Sequence, residues 1–404
     1  MKIVEINTTH TGSTGNIMLN IAGRARADGL EATTFSTNGW GKGKKNQRLP
    51  EIDGHEYYGS FYESFLHNLF GKVFARNGGF SVCSTARLVS RLKKIKPDVI
   101  HLHNLHGFNM NLPMLFGYIK KNKIRVIWTL HDCWSFTGQC PHYAMIGCER
   151  WKTHCHDCPL IGEYPKVFWD NSKKIYDWKR KIFNGVEDLA IVTPSRWLAD
   201  QVAESYLKNY PVKVINNGIN LDVFKPTEGD FKARYGCEDK HIVLGVSSVW
   251  NAKKGLDVFI ELAKRLDTSK YQIVLVGTDD ATDAKLPEGV ISIHRTENRT
   301  QLAEIYSAAD VFVNLTREDT FPTVNIEALA CGTPVVTFKT GGSPEILTEE
   351  CGSVVEKNDV DAMEREIIHV CEDKPYSSEN CIFRARSFNM NDRFEEYVNL
   401  YKER

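Results

Sequence analysis

The sequence carries no net charge. Among 404 residues, 51 lysines and arginines balance 51 aspartates and glutamates, and the pI is near 7.2. A chain without a positive field has nothing to draw it to a phosphate backbone, so no nucleic acid is expected as a partner. Long hydrophobic runs are lacking as well. No apolar stretch reaches the ~20 residues that span a bilayer. The opening residues, Met1-Lys2-Ile3-Val4-Glu5-Ile6, enter a strand pattern without the apolar region of a signal peptide. A cytoplasmic enzyme is the expectation. There is no internal repeat, no low-complexity segment and no carboxylate-rich metal motif, so no cofactor or metal is expected in catalysis. Cysteine is not scarce: there are 11. Most are scattered, as suits a reducing compartment.

What is present is ordinary globular composition, 42% hydrophobic and 25% charged, in a chain long enough for two cores. Short β-branched runs alternate with longer amphipathic stretches. Strands are expected at 3–6, 32–35, 99–103, 126–130, 189–193 and 213–215, then at 242–246, 272–276, 290–293, 311–315 and 335–338. Helical spacing fills 17–26, 84–94, 195–208, 255–266 and 300–309. Such alternation reads as α/β, with parallel sheets covered by helices on both faces. Turn residues at Asn216-Asn217-Gly218-Ile219-Asn220 and a proline at Pro226 mark a break near the middle. Two doubly wound, Rossmann-like domains result, at 1–215 and 229–385, with a linker at 216–228 and a terminal helix within 386–404. A cleft between them is the expected place for a large two-part ligand.

The strand at 311–315 runs into Glu318-Asp319-Thr320-Phe321-Pro322-Thr323-Val324-Asn325-Ile326-Glu327. A strand, an acidic loop and a helix start together suit a sugar nucleotide. The helix end attracts phosphate, and carboxylates accept hydrogen bonds from hydroxyls. Lys253-Lys254-Gly255 follows the strand at 242–246, where a lysine at a helix head can neutralise a departing diphosphate. Thr11-Gly12-Ser13-Thr14-Gly15-Asn16 is a glycine loop between the first strand and first helix, a poor dinucleotide fingerprint because the three-glycine spacing is absent. Thr129-Leu130-His131-Asp132 ends the strand at 126–130, where His131 can hydrogen-bond a sugar or move a proton.

The segment from Glu318 to Glu327 resembles the donor-binding signature of glycosyltransferase family 4, in which two acids have seven residues between them, as Asp319 and Glu327 do. The resemblance covers nearly the whole chain and implies the GT-B architecture. Acceptor then lies mainly on the N-terminal domain, the nucleotide sugar (UDP- or GDP-linked) mainly on the C-terminal one, and the terminal helix crosses back. It implies catalytic roles for His131, Lys254 and Asp319. Donor contacts fall at Gly12, Gly15, Lys253, Glu318, Phe321, Pro322, Thr323, Val324 and Glu327, with backbone amides of 321–324 facing sugar or phosphate and Glu327 on the ribose. It also implies transfer with anomeric retention. Two positions depart from the pattern. Asp319 stands where Glu is usual, and Ser248 stands where many members have an arginine six residues before the lysine.

Cys140, Cys148, Cys155 and Cys158 cluster in an insertion at 133–160 and end in a C-x-x-C knuckle, Cys155-His156-Asp157-Cys158. Tetrahedral zinc bound by four thiolates would pin such a loop. His142, His154 and His156 are alternative ligands, and free thiols or disulfides are the other readings. Two amphipathic stretches, 61–74 and 173–183, fit either a core face or peripheral contact with the inner face of the plasma membrane. The leading reading is a glycosyltransferase of capsule, exopolysaccharide or O-antigen assembly acting on a glycan or lipid-linked acceptor. A sugar-nucleotide epimerase of the same architecture and a zinc-stabilised binding module are the rivals.

Overall fold

A computed structural model of the chain describes residues 1–37 and 49–403. It divides into two compact units, Met1–Ile215 with Phe394–Arg404, and Asn216–Arg393. The first holds strands β1 (Lys2–Thr9), β2 (Glu31–Thr37), β3 (His55–Tyr57), β4 (Val99–Leu102), β5 (Arg125–Thr129), β6 (Leu189–Thr193) and β7 (Val212–Val214). Its helices are α1 (Gly12–Ala27), α2 (Phe61–Val73), α3 (Val82–Ile95), α4 (Leu112–Asn122), α5 (Ser172–Phe183) and α6 (Arg196–Glu204). The second unit holds β8 (His241–Val246), β9 (Tyr271–Val276), β10 (Ile291–Ile293), β11 (Val311–Asn314), β12 (Val335–Phe338) and β13 (Gly352–Val355). Its helices are α7 (Phe231–Arg234), α8 (Leu256–Arg265), α9 (Asp280–Asp283), α10 (Arg299–Ala308), α11 (Thr323–Ala330), α12 (Ser343–Ile346), α13 (Val360–Asp373) and α14 (Ser378–Arg386). The final helix, α15 (Met390–Lys402), begins in the second unit and ends in the first.

Both sheets are parallel, in the orders β3-β2-β1-β4-β5-β6-β7 and β10-β9-β8-β11-β12-β13. Strands covered on both faces need continuous apolar runs, and β5 (Arg-Val-Ile-Trp-Thr) and β9 (Tyr-Gln-Ile-Val-Leu-Val) supply them. In each sheet the order reverses beside the unit's first strand, between β1 and β4 and between β8 and β11. Loops leaving the carboxyl ends of those strands border the crevice where doubly wound sheets take ligands.

Three stretches add to or change the sequence reading. The stretch 216–228 is not a free linker: Ile219 and Phe224 are buried in the second unit's core, and Ile219 bridges to Asn389. Of the two readings of 173–183, the core face holds. As α5 it buries Ile175, Tyr176, Ile182 and Phe183, and with them Lys179, whose ammonium donates to the carbonyls of Trp134 and Thr137. Strands β3 and β13 were unforeseen, because both lie at sheet edges and neither carries a long apolar run.

The stretch 61–74 forms α2, but inverted. Its polar residues Ser64, His67 and Asn68 are buried, while Phe65, Leu66, Leu69, Phe70, Val73 and Phe74 are 40–55% exposed. The polar face is turned inward by the hydrogen bonds it makes. Glu63 accepts from the amides of Cys83 and Ser84 (2.8 and 2.9 Å) at the start of α3. His67 Nδ1 pairs with Ser81 Oγ (2.7 Å), and its Nε2 accepts from the Gly78 amide (3.1 Å). Among the described residues no helix is long and apolar enough to cross a membrane.

Candidate functional site

In the second unit the loops after β8 and β11 meet. Lys254 Nζ lies 2.8 Å from Asp319 Oδ2, and Lys253 Nζ lies 3.5 Å from Glu318 Oε2. Two cations and two anions therefore share one surface, and burial lowers the Lys253 pKa against the opposing pull of Glu318. The lysine turn is built locally. Asn251 caps it by accepting from the Lys254 amide (3.1 Å). Gly255 then adopts φ +75°, and a Cβ there would collide with Leu315 at the end of β11. Trp250 and Asn251, which accompany the missing arginine, are thus structural. Trp250 is buried and donates from its indole to the Val276 carbonyl (3.0 Å), while Ser248 is exposed and supplies no cation.

Sequence reasoning missed Arg317. Its guanidinium forks onto Asp257 (2.7 and 2.8 Å) and reaches Asn358 Oδ1 (2.7 Å), while its amide donates to the Lys253 carbonyl (2.8 Å). It ties the lysine turn to the acidic loop, and its position directly before the acidic pair was the available signal. A buried chain, Asn314–Asn325–Ser343–Thr337 (2.7, 3.1 and 2.9 Å), holds α11 and α12 on their strands and was likewise unforeseen.

The expected amide donors of 321–324 divide. Phe321 is buried with its ring on Phe388 (5.7 Å), and its amide donates to Asp319 Oδ1 (3.3 Å). Pro322 has no N–H. Thr323 and Val324 open α11 and supply the first-turn amides that no intrahelical carbonyl can take. Glu327, one turn further on, accepts from Tyr306 Oη (3.2 Å). Burial pushes its carboxyl up to about 7, against the Tyr306 hydrogen bond and the Arg299 charge.

In the first unit the glycine loop leaves β1 for α1. Gly12 is the first helical residue, Thr11 makes no side-chain cap, and the first turn carries no acid. Gly15 is packed so tightly on the His10 carbonyl that a Cβ would clash. His131 follows β5. Its Nε2 lies 3.1 Å from His103 Nδ1, and His103 Nε2 lies 3.2 Å from Glu5 Oε2. Burial lowers the His131 pKa to about 4, opposed by the Asp132 charge and aided by that of His106, so its ring is neutral at physiological pH. Asp132 turns away to His106 (2.7 Å) and the Trp134 amide (2.8 Å). Those two partners hold its carboxyl below the usual range, although burial alone would raise it. The Glu5 pKa is raised by the same burial, and its Oε1 has no hydrogen-bond partner among the described residues.

His101 links this chain to the terminal helix, with Tyr401 Oη at 2.6 Å and Thr129 Oγ1 at 2.8 Å. Cys140, Cys148, Cys155 and Cys158 line one small cavity of the insertion.

A family model for glycosyl transferases group 1 matches residues 228–388, and one for Glycosyltransferase Family 4 matches residues 14–223, more than half the chain. Escherichia coli (strain K12) WcaC, a glycosyl transferase assigned to colanic acid biosynthesis, is 26% identical over the full length of both chains. A protein from the cps region of Klebsiella pneumoniae is also 26% identical, over 87% of this chain and 92% of its own. Sucrose-phosphate synthase of Thermosynechococcus elongatus superposes with a TM-score of 0.71 at 17% identity, covering 99% of this chain and 98% of that one. Anabaena HepE, solved with UDP and glucose, superposes with a TM-score of 0.67 at 15% identity over 100% and 99%. At such identities the superpositions establish the GT-B fold alone. Together with the family models they make this chain a member of glycosyltransferase family 4.

Proposed function

We propose that the protein transfers a sugar, with retention, from a UDP- or GDP-sugar to a glycan or lipid-linked acceptor in the assembly of a capsular, exopolysaccharide or O-antigen chain. The observation that carries this reading is the lysine turn set against the acidic loop at the carboxyl ends of β8 and β11. The relatives assigned to colanic acid biosynthesis and to a cps region support the polysaccharide setting. A nucleoside diphosphate fits the two lysines and the α11 amides of Thr323 and Val324, while Glu327 receives the ribose hydroxyls. As the glycosidic bond to phosphate breaks, negative charge grows on the diphosphate. Lys254, released from Asp319, meets that charge, as do Lys253 and the helix amides, without any step that needs a metal. The carbohydrate centre becomes oxocarbenium-like, and the acceptor hydroxyl enters on the face the diphosphate leaves, its proton passing to the departing phosphate oxygen. In the first unit, neutral His131 and the uncapped start of α1 at Gly12 are the groups available to a sugar.

A panel of UDP- and GDP-sugars, incubated with the purified protein and assayed for released nucleotide and glycosylated acceptor, tests the reading. Release coupled to transfer is expected with one donor. Interconversion of the sugar without transfer makes the protein an epimerase, and neither outcome with any donor overturns the enzyme reading.

The outward face of α2 is the proposed membrane contact. Phe168 and Trp169 extend it, held by bonds from the Phe168 amide to the Lys72 carbonyl (3.2 Å) and from the Trp169 indole to the Val73 carbonyl (2.7 Å). Lys72 and Arg76 flank the apolar side chains and suit an anionic surface. The protein should float with vesicles containing phosphatidylglycerol. The double variant Leu66→Asp, Phe70→Asp alters only exposed positions, so it should keep its fold and lose most of that binding. Equal flotation of the variant removes α2 from the contact. A dimer that the same variant disperses would give the face to self-association.

A further inference from the structure

The insertion 133–160 contains only three short turns of 3₁₀ helix, at Trp134–Phe136, Ala144–Ile146 and Arg150–Lys152. Its aromatic residues Trp134, Phe136, Tyr143 and Trp151 are buried in the first unit's core. Its four cysteines all face one small cavity, with Arg150 and His156 at its wall. We propose that this cavity is a structural zinc site with Cys140, Cys148, Cys155 and Cys158 as its four thiolate ligands.

Three observations select thiolates over the alternatives. First, a backbone amide is aimed into the cluster: the Gly138 amide donates to Cys155 Sγ (3.1 Å). Second, two of the candidate histidines are engaged elsewhere. His154 pairs with Asp177 and His156 with Asp157, each at 3.0 Å. Third, the knuckle is held in shape from outside. Arg150 donates to the carbonyls of His156 (3.0 Å) and Asp157, and the Cys158 amide donates to Asp170 (3.1 Å). All four cysteines are free of disulfides.

Zinc binding at this cavity requires the sulfurs to draw together. The described groups whose ligand atoms already lie within 4.8 Å of one another are Glu5–His101–His103 and Asp280–Asp283–His294, and the cysteines are not among them. Tetrahedral zinc, with Zn–S of about 2.3 Å, draws sulfurs to about 3.8 Å from one another. Binding converts Zn²⁺ and four thiols to a tetrathiolate of charge −2 with release of four protons. Arg150, near Cys158, and Lys179, near Cys155, lie within electrostatic reach of that charge. The closed ligand set leaves no position for substrate, so the metal would shape the loop that follows His131 and take no part in the chemistry.

The full-length protein, purified without chelator or added metal, is expected to carry one zinc per chain by elemental analysis. Exchange for cobalt should give the intense visible bands of a tetrahedral Co²⁺ thiolate. Cys155→Ser with Cys158→Ser should lose the zinc. Should that variant fail to fold, the wild-type cobalt spectrum and the zinc released on mercurial titration of the four thiols still decide. Sub-stoichiometric zinc with four freely reacting thiols in the native protein overturns the proposal, as does a Cys155–Cys158 disulfide. Each readout is independent of transferase activity.

Discussion

Lys254→Ala lowers turnover at saturating donor by about 10²-fold or more while leaving the fold intact, because the lysine's charge is most valuable as the diphosphate departs. In the free protein this charge is paired with Asp319 at 2.8 Å. That pair is partly exposed, so its contribution to stability is small, and the melting temperature should change little. The geometry adds a second arm. Asp319→Asn removes the competing carboxylate while keeping the hydrogen-bonding shape, so it should hold the bare nucleotide at least as tightly as wild type. Lys254→Ala should weaken that binding less than it lowers turnover. Steady-state rates and calorimetry on the two variants check both statements. A Lys254→Ala enzyme within twofold of wild type would leave the lysine as a surface charge held by its neighbour.

Glu327→Gln is expected to move two quantities in opposite directions. Donor binding should weaken by roughly 1.5–3 kcal/mol, the loss of a charge-assisted acceptor for the ribose hydroxyls. Stability should rise above neutral pH. The Glu327 pKa is raised by burial to about 7 from an ordinary value of 4.5. The folded protein therefore holds its proton more tightly than the unfolded chain, and stability falls as pH rises between those values. Glutamine has no charge to bury and escapes that loss. The same shift governs binding. Nucleotide affinity in the wild type should weaken as pH falls through about 7, because the protonated carboxyl is a poorer acceptor, and in Glu327→Gln this dependence should disappear. Calorimetry across pH and thermal melts at pH 5 and pH 8 supply the measurements. Wild-type affinity in a folded Glu327→Gln protein would remove the residue from the donor site.

Much of this protein is written in local pattern. The alternation of β-branched runs with amphipathic stretches is enough for two parallel sheets, because a strand covered on both faces must be apolar throughout. The pairing of a lysine turn with an acidic strand end is legible too, since both follow strands of the same sheet and doubly wound sheets gather such loops at one edge. What resisted reading were features whose cause lies far away in the chain. The edge strands β3 and β13 exist only because a neighbour offers its free backbone. The outward apolar face of α2 follows from hydrogen bonds between its polar side and residues 78–84, which no periodicity reveals. The same limit applies to Lys179, which reads as a basic surface residue and lies in the core beneath Trp134. Sequence alone determined which residues could bind phosphate, hydroxyls or metal, because that is side-chain chemistry. Only the tertiary structure decided which are free to do so. It placed Phe321 in the core, spent Asp132 on His106, set His131 against His103 and paired Lys254 with Asp319. Availability is a matter of burial and of partners brought together from distant parts of the chain, and those are consequences of packing.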